Sequence, residues 1–307
     1  MPDLRSLTLK QLRAIAGTVR QGSVTGAAKD LHVTPPAITT QLKALEKNVG
    51  AALFDRTADG FVPTEIGDEL LKAAEDIEKR IELTRERIAA LKAGASGSVV
   101  LGVVSTGKYI APGIVAAFQE AHPGIRIKLV IGNREEIING LEHDEFDCAI
   151  MGRPPPHIGV ISKVLSDHPH VLIAAPGHRL AGDHDILVED LLEERFLARE
   201  PGSGTRLLME RFLERIGHGR IFEIVEMGTN ETIKQAVMAQ LGIAFISAHT
   251  CHTELQEGRL VALSVLGLPV MRQWSLTRRS DREPTKAAAV FEQFLLSNSA
   301  DLFPRLK

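Results

Sequence analysis

The sequence predicts an α/β protein, a two-lobed body preceded by an all-α-dominated head that ends in a wing. Three observations predict it. Helical apolar periodicities fill the first fifty residues, a 3.5-residue apolar repeat follows, and strand-like and helical runs alternate from residue 98 to the end.

Composition bounds the class. With 307 residues, 44% apolar and 24% charged, the chain has material for two or three domains and sits near the globular average. The apolar stretch Leu260 to Met271 is broken by Gly267 and Pro269 and is far shorter than the ~20 residues a membrane span needs. The first residues carry no apolar core of a secretory signal, so a cytoplasmic location is expected. Cys148 and Cys251 stand far apart and are expected to be reduced. Net charge is −3, unevenly spread. Residues 1–62 hold eight Lys/Arg against five Asp/Glu, while residues 94–307 hold 22 against 26. A basic head on an acidic body admits a polyanion at the head, although random fluctuation accounts for the charge equally well.

Leu9, Leu12, Ile15, Ala16 and Val19 recur at helical spacing between a Thr8 N-cap and Gly22. A second helix runs from Val24 to Leu31, with Ser23 as N-cap and the small Ala27 and Ala28 on its inner face. After a turn through His32 and Val33, Thr34 caps a third helix with Pro35 in its first position, where a missing N–H costs nothing. Ile38, Leu42 and Leu45 take one face; Pro36, Thr39, Thr40 and Lys43 take the other, small and polar as a major groove requires. LFDRTADGFVPT then reads as a two-stranded wing about an Asp59-Gly60 turn, with Arg56 as a phosphate contact. The candidate DNA contacts are Ser23, Thr25, Thr34, Pro35, Pro36, Thr39, Thr40, Lys43 and Arg56. A three-helix unit without DNA function gives the same periodicities.

GSVTGAAKDLHVTPPAITTQLKALEKNVGAALFDRT, followed by PTEIGDELL, resembles the N-terminal winged helix-turn-helix of LysR-type transcriptional regulators. Length and layout extend the resemblance over the whole chain. Two departures are the wing, where Ala58-Asp59-Gly60 lacks a second basic residue, and Pro36.

From Thr64 to Lys92, Leu70, Ala74, Ile77, Ile81, Thr84, Ile88 and Leu91 are spaced alternately by four and three, a heptad seam that predicts a dimer helix. A long amphipathic helix lying on its own domain is the alternative. AGASGS, residues 93–98, is expected to act as a hinge.

The body is expected to hold two parallel sheets covered by helices, with chain crossovers near Leu165 and Leu266. By the resemblance this is an effector domain like a periplasmic binding protein. Boundaries are placed at 1–63, 64–93 and 94–307, with one lobe over 97–164 and 267–300 and the other over 165–266. Ligands of such folds sit beyond strand ends, at helix N-termini. Those positions hold Ser105, Thr106, Lys108, Asn133, Arg134 and Arg153 in one lobe. In the other they hold Arg199, Glu200, Gly202, Ser203, Thr205, Arg206, Thr229 and Asn230. Each also reads as an ordinary cap, but their convergence and their arginines point to an anionic effector.

VSTGKYIAP, IGNREEII, CAIMGRPPP and HPHVLIAAPGHRLA resemble the subfamily that regulates Calvin-cycle (RuBisCO) operons. That resemblance implies an activator of carbon-fixation genes answering to phosphorylated metabolites or NADPH. It also implies a homodimer or homotetramer on pseudo-palindromic double-stranded DNA, with RNA polymerase as a further partner.

Enzyme readings are weaker. Gly102 to Lys108 matches a P-loop except that Tyr109 replaces the Mg²⁺-binding hydroxyl, and no Gly-x-Ser-x-Gly elbow surrounds Ser105. His249, Cys251 and His252 have no second ligand pair for zinc, and His168 and His170 are assigned to a lobe crossover. No enzyme activity, cofactor or metal is expected. The rival from another class is an anion-sensing or solute-binding protein whose head serves only in oligomerisation.

Overall fold

The computed structural model describes residues 6–57, 60–92, 97–182 and 186–304. By its internal contacts the chain divides into two units, Met1–Ala89 and Ala90–Lys307.

In the first unit, α1 (Leu9–Gln21), α2 (Val24–Asp30) and α3 (Pro35–Val49) start and stop where the capping residues dictate. Thr8 and Gln11 form a reciprocal capping box, Ser23 Oγ accepts from Gly26 N, and Gly22 and Gly50 close α1 and α3 in the left-handed region. Thr34 has the extended N-cap backbone, but its side chain makes no cap bond. The predicted turn is real, and His32 takes a φ of 54° in it. Ala14, Ile15, Ala27, Ala28, Ile38, Leu42, Leu45 and Leu53 form the core. Each of its fully buried leucines and isoleucines contributes about 2 kcal/mol.

β1 (Phe54–Thr57) and β2 (Gly60–Pro63) pair antiparallel from Phe54↔Pro63 to Thr57↔Gly60, and Phe54 meets Phe61 edge to face at 5.3 Å. Ala58 and Asp59, and with them the predicted turn, lie outside the described residues.

α4 (Glu65–Lys92) begins on Thr64, whose hydroxyl accepts from Gly67 N and donates to Ala52 O. Gly67 is required there, since a Cβ would fall 2.2 Å from Leu53 O. The first turns of α4 belong to the head. Leu70 packs on its core, Ala74 is fully buried, and Arg13 Nε donates to Glu78 Oε1 at 2.5 Å. Further along, Ile77, Ile81 and Ile88 stand 38%, 37% and 48% exposed on one apolar stripe. The side chain of Leu91 and residues 93–96 of the expected hinge lie outside the described residues.

The second unit opens with β3 (Gly97–Val104), α5 (Ala111–Ala121), β4 (Ile125–Gly132), α6 (Arg134–Glu142) and β5 (Cys148–Met151), and β3 pairs parallel with both β4 and β5. Next come β6 (Val160–Ala174), α7 (Val188–Leu192), β7 (Arg195–Ala198), α8 (Gly204–Gly217), β8 (Glu223–Glu226), α9 (Asn230–Met238) and β9 (Ala244–Ser247). α10 (His252–Gln256), β10 (Val261–Ala262), β11 (Val270–Arg279) and α11 (Lys286–Leu302) complete it.

The body differs from expectation in one respect. His168 and His170, assigned to a lobe crossover, lie within one fifteen-residue strand, β6, which pairs antiparallel with β11 from Val160↔Arg279 to Val270↔His170. Seven strands therefore share one hydrogen-bonded path of mixed direction, β10-β6-β11-β5-β3-β4 with β9 on β6, rather than two parallel sheets. Parallel pairing recurs in β7 with β8, and a bridge at Phe196↔Ile243 ties them to the segment before β9. β6 and β11 are long enough to serve both lobes. The register shift between Trp274 and Ser275 leaves Leu165 as the extra residue of a bulge, at the expected crossover. Lobe II has its own core around Phe196, Phe212, Phe245 and Ile243.

Candidate functional site

In the head, the residues opposite the α3 core share one exposed surface. Thr34, Pro35 and Pro36 occupy its start; Thr39, Thr40 and Lys43 follow one and two turns later. Thr39 Oγ1 donates to Pro35 O and Thr40 Oγ1 to Pro36 O, so the hydroxyl protons are held and the oxygens remain able to accept. Lys43 is exposed and has no carboxylate partner among the described residues. On α2, Thr25 is exposed and Ser23 is half-buried in its cap. Arg56 lies in β1 opposite Phe61, and its side chain is outside the described residues. Small hydroxyls, methyls and an unpaired cation on one helix face suit base edges and phosphates.

In the body, a cavity of about 430 Å³ lies between the lobes. Lobe I supplies Val104, Ser105 and Thr106 from the end of β3, Arg134 from the start of α6, and Gly152, Arg153 and Pro156 after β5. Lobe II supplies Ser203, Gly204, Thr205, Leu207, Leu208 and Arg211 from α8, and the crossing strands supply His168, His170 and Arg272. The α8 N-terminus approaches Arg134 closely: a Cβ on Gly204 would lie 3.4 Å from Arg134 Cδ.

Six sequence-predicted residues meet in this cavity: Ser105, Thr106, Arg134, Arg153, Ser203 and Thr205. The other eight do not line it. Lys108 lies 3.8 Å from Glu231 and 5.0 Å from the Tyr109 ring centre. Asn133 and Glu136 make the capping box of α6, and Thr229 caps α9. Arg199 is only 4% exposed and turns inward, donating to both Glu200 oxygens, to Ser105 Oγ at 3.0 Å and to Asn230 Oδ1 at 2.8 Å. Gly202 takes a φ of 83° and its carbonyl accepts from Glu135 N. Arg206 donates to Glu210 and to the Arg199 carbonyl. The charges among these residues are already paired.

The residues that sequence reasoning missed are Arg211, Arg272, His168 and His170. A signal for Arg211 existed: Ser203, Gly204, Leu207, Leu208 and Arg211 recur at three and four along one helix face. Arg272 and the histidines had none, because their position follows from the pairing of β6 with β11.

The electrostatics of the cavity are one-sided. No Asp or Glu lines it, and Arg153, Arg211 and Arg272 have no carboxylate partner among the described residues. Arg134 Nη1 donates only to the Arg153 carbonyl. Burial, and then the like charges of Arg153, Arg211 and Arg272, pull Arg134 below the ordinary guanidinium range. Four guanidiniums lining one cavity with hydroxyls and a helix N-terminus are chemistry that suits an anion.

The pair His249 and Cys251 is otherwise engaged. His249 Nδ1 accepts from Trp274 Nε1 and its Nε2 donates to Pro304 O, while burial pushes the Cys251 thiol up to about 12. Among the described residues no group of three His, Cys, Asp or Glu is arranged to hold a metal, and no helix is long and apolar enough to cross a membrane.

Comparison with known proteins decides the family. Residues 9–68 match the model of the bacterial regulatory helix-turn-helix protein of the lysR family, and residues 92–300 match that of the LysR substrate binding domain. The chain belongs to the LysR family. LysR proteins are transcriptional regulators, not enzymes. This LysR chain is 47% identical over 300 residues to the HTH-type transcriptional regulator CbbR of Xanthobacter flavus, covering 97% of this chain and 90% of that protein. It is 39% identical over 300 residues to the RuBisCO operon transcriptional regulator of Allochromatium vinosum, covering 98% of this chain and 99% of that one. Among solved structures, the CcmR regulatory domain of Synechocystis PCC6803 in complex with 2-PG is similar at a TM-score of 0.63 and 31% identity. The match covers 66% of this chain and 98% of that one.

Proposed function

We propose that this chain is a LysR-type transcriptional regulator of carbon-fixation genes, acting in the cytoplasm as an activator that answers to a small phosphorylated anion. The DNA contacts are Ser23, Thr25, Thr34, Pro35, Pro36, Thr39, Thr40, Lys43 and Arg56, on a head of residues 1–63. The helix of residues 64–93 pairs two chains, so that two α3 helices read the halves of a pseudo-palindromic operator, and two such dimers form the working tetramer. The body of residues 94–307 binds the effector.

The observation that carries the reading is the cavity with four guanidiniums and no carboxylate. Relatives named for CbbR and for the RuBisCO operon supply the gene class, and the bound 2-PG of the Synechocystis neighbour supplies the chemistry of the anion. Arg134, Arg153, Arg211 and Arg272 hold its charged oxygens, while Ser105, Thr106, Ser203 and Thr205 orient it. An effector shifts the regulator only through unequal affinity for two arrangements of the lobes, and residues from both lobes line this cavity. Calorimetric titration of the full chain with 2-phosphoglycolate tests it. Binding that is lost in Arg272→Gln supports the site; unchanged binding in that variant moves the site elsewhere.

A further inference from the structure

His168 is 4% exposed and lines the cavity, yet its ring is only partly satisfied. Its Nε2 is 2.9 Å from Ser247 Oγ and Trp274 stacks on it at 3.8 Å, while Nδ1 is buried with no hydrogen-bond partner among the described residues. A buried unpaired ring nitrogen is costly and calls for a partner. His170, beside it in the cavity wall, donates from Nδ1 to the His168 carbonyl at 3.2 Å.

The charged and titratable groups around the pair are one-sided. β11 brings Arg272, the turn after β9 brings His249, α6 brings Arg134, the segment after β5 brings Arg153, and α8 brings Arg211. The carboxylates of neighbouring elements are spent elsewhere: Glu292 of α11 on Lys163 and Arg278, Glu231 and Glu254 on Lys234. Asp167, the preceding residue of β6, is exposed and by strand alternation faces away. Burial first, then the neighbouring histidines and Arg272, holds His168 well below its ordinary range, so it is neutral in the empty cavity at pH 7.

Resting on the anion-binding reading above, we infer that an anion entering this cavity brings a proton onto His168, so that effector binding and protonation of the cavity wall are one event. The bound charge offsets the burial, and the lesser repulsion from His170, His249 and Arg272, that keep the ring neutral. The proton comes from water. The imidazolium then donates Nε2–H to Ser247 Oγ and carries its second proton on Nδ1, in the field of the bound anion. By linkage, each proton taken up strengthens binding about tenfold per unit fall in pH, between the pKa of the empty and of the occupied cavity. The regulator therefore responds to effector and acidity together.

The test is calorimetry on the full chain with sulfate, whose charge does not change between about pH 5 and 8.5. Two cationic buffers of different ionisation enthalpy are used. Expected are about one proton taken up per sulfate, tighter binding as pH falls, and quenching of the single tryptophan, Trp274, by the imidazolium stacked on it. His168→Gln loses the proton uptake and the pH slope, and binds sulfate at every pH no more tightly than the unmodified chain does at the alkaline end of the range. Sulfate binding without proton uptake, or uptake that persists in His168→Gln, overturns this inference and leaves the anion site standing. Sulfate and 2-phosphoglycolate both failing to bind, or binding undiminished in Arg134→Gln/Arg272→Gln, overturns the anion site and this inference with it. If His168→Gln does not fold, the proton count and Trp274 quenching of the unmodified chain decide.

Discussion

Arg199 Nη1 lies 3.0 Å from Ser105 Oγ, so a guanidinium rooted in lobe II is hydrogen-bonded to the end of the first strand of lobe I. The same guanidinium holds Glu200 and Asn230. It braces the two sides of the cleft and does not line the cavity. Replacing Arg199 with Ala leaves Glu200 and Asn230 without their partner and is expected to cost about 3 kcal/mol, in the range for breaking a buried ion pair. Denaturant unfolding followed by Trp274 measures it; a change below about 0.5 kcal/mol removes the brace.

Arg206 and Arg272 exchange the roles their sequence positions suggest. Arg206 is occupied by Glu210 and the Arg199 carbonyl, whereas Arg272 lines the cavity without a carboxylate. Arg272→Gln is expected to weaken 2-phosphoglycolate binding by tenfold or more, since a charge-assisted contact contributes roughly 1.5–3 kcal/mol. Arg206→Gln is expected to change it less than threefold. Titration calorimetry on both variants checks the assignment, and equal losses would refute it.

What was legible in the sequence is what local chemistry writes there. Thr8, Ser23 and Pro35 mark helix starts, Gly22 and Gly50 mark ends, and the structure follows them within a residue. The cleft was half legible. Strand ends and helix starts are local features, and six of the residues found that way do line the cavity. Arg199 and Asn230 bond to each other outside the cavity lining, because whether a side chain at a strand end turns inward depends on the partner it meets. His168 and His170 read as a crossover because Pro169 between them lacks an N–H and looks like a break, though the pairing with β11 runs through it.

Ile81 is exposed on α4, so its replacement leaves the folded chain intact. Ile81→Glu places a charge on the apolar stripe of α4, the proposed seam between two chains. It is expected to give monomers by sedimentation velocity, with DNA affinity reduced by at least a hundredfold because one head then reads one half-site. A dimeric Ile81→Glu would place the interface elsewhere.

Burial, offset only in part by the bond to His168, draws the His170 pKa down from 6.5 to about 4. The unfolded chain therefore binds a proton between these values that the folded chain refuses. Stability from this group is complete above about pH 6.5 and falls as pH drops toward 4, by about 3 kcal/mol in total. His170→Gln is expected to flatten the pH dependence of unfolding in that window; an unchanged slope assigns acid sensitivity to other groups.

The central claim is that the chain reads DNA and that a small anion alters the reading. The most direct measurement is binding of the full chain to the intergenic DNA beside its own gene, at two salt concentrations, with and without phosphorylated metabolites and NADPH. The account predicts tight, salt-sensitive binding that random DNA does not displace and that one metabolite shifts, with Lys43→Ala lowering the salt slope by about one. Affinity no greater than for random DNA, with the anion still bound by the body, would contradict it and leave an anion sensor whose head only joins chains.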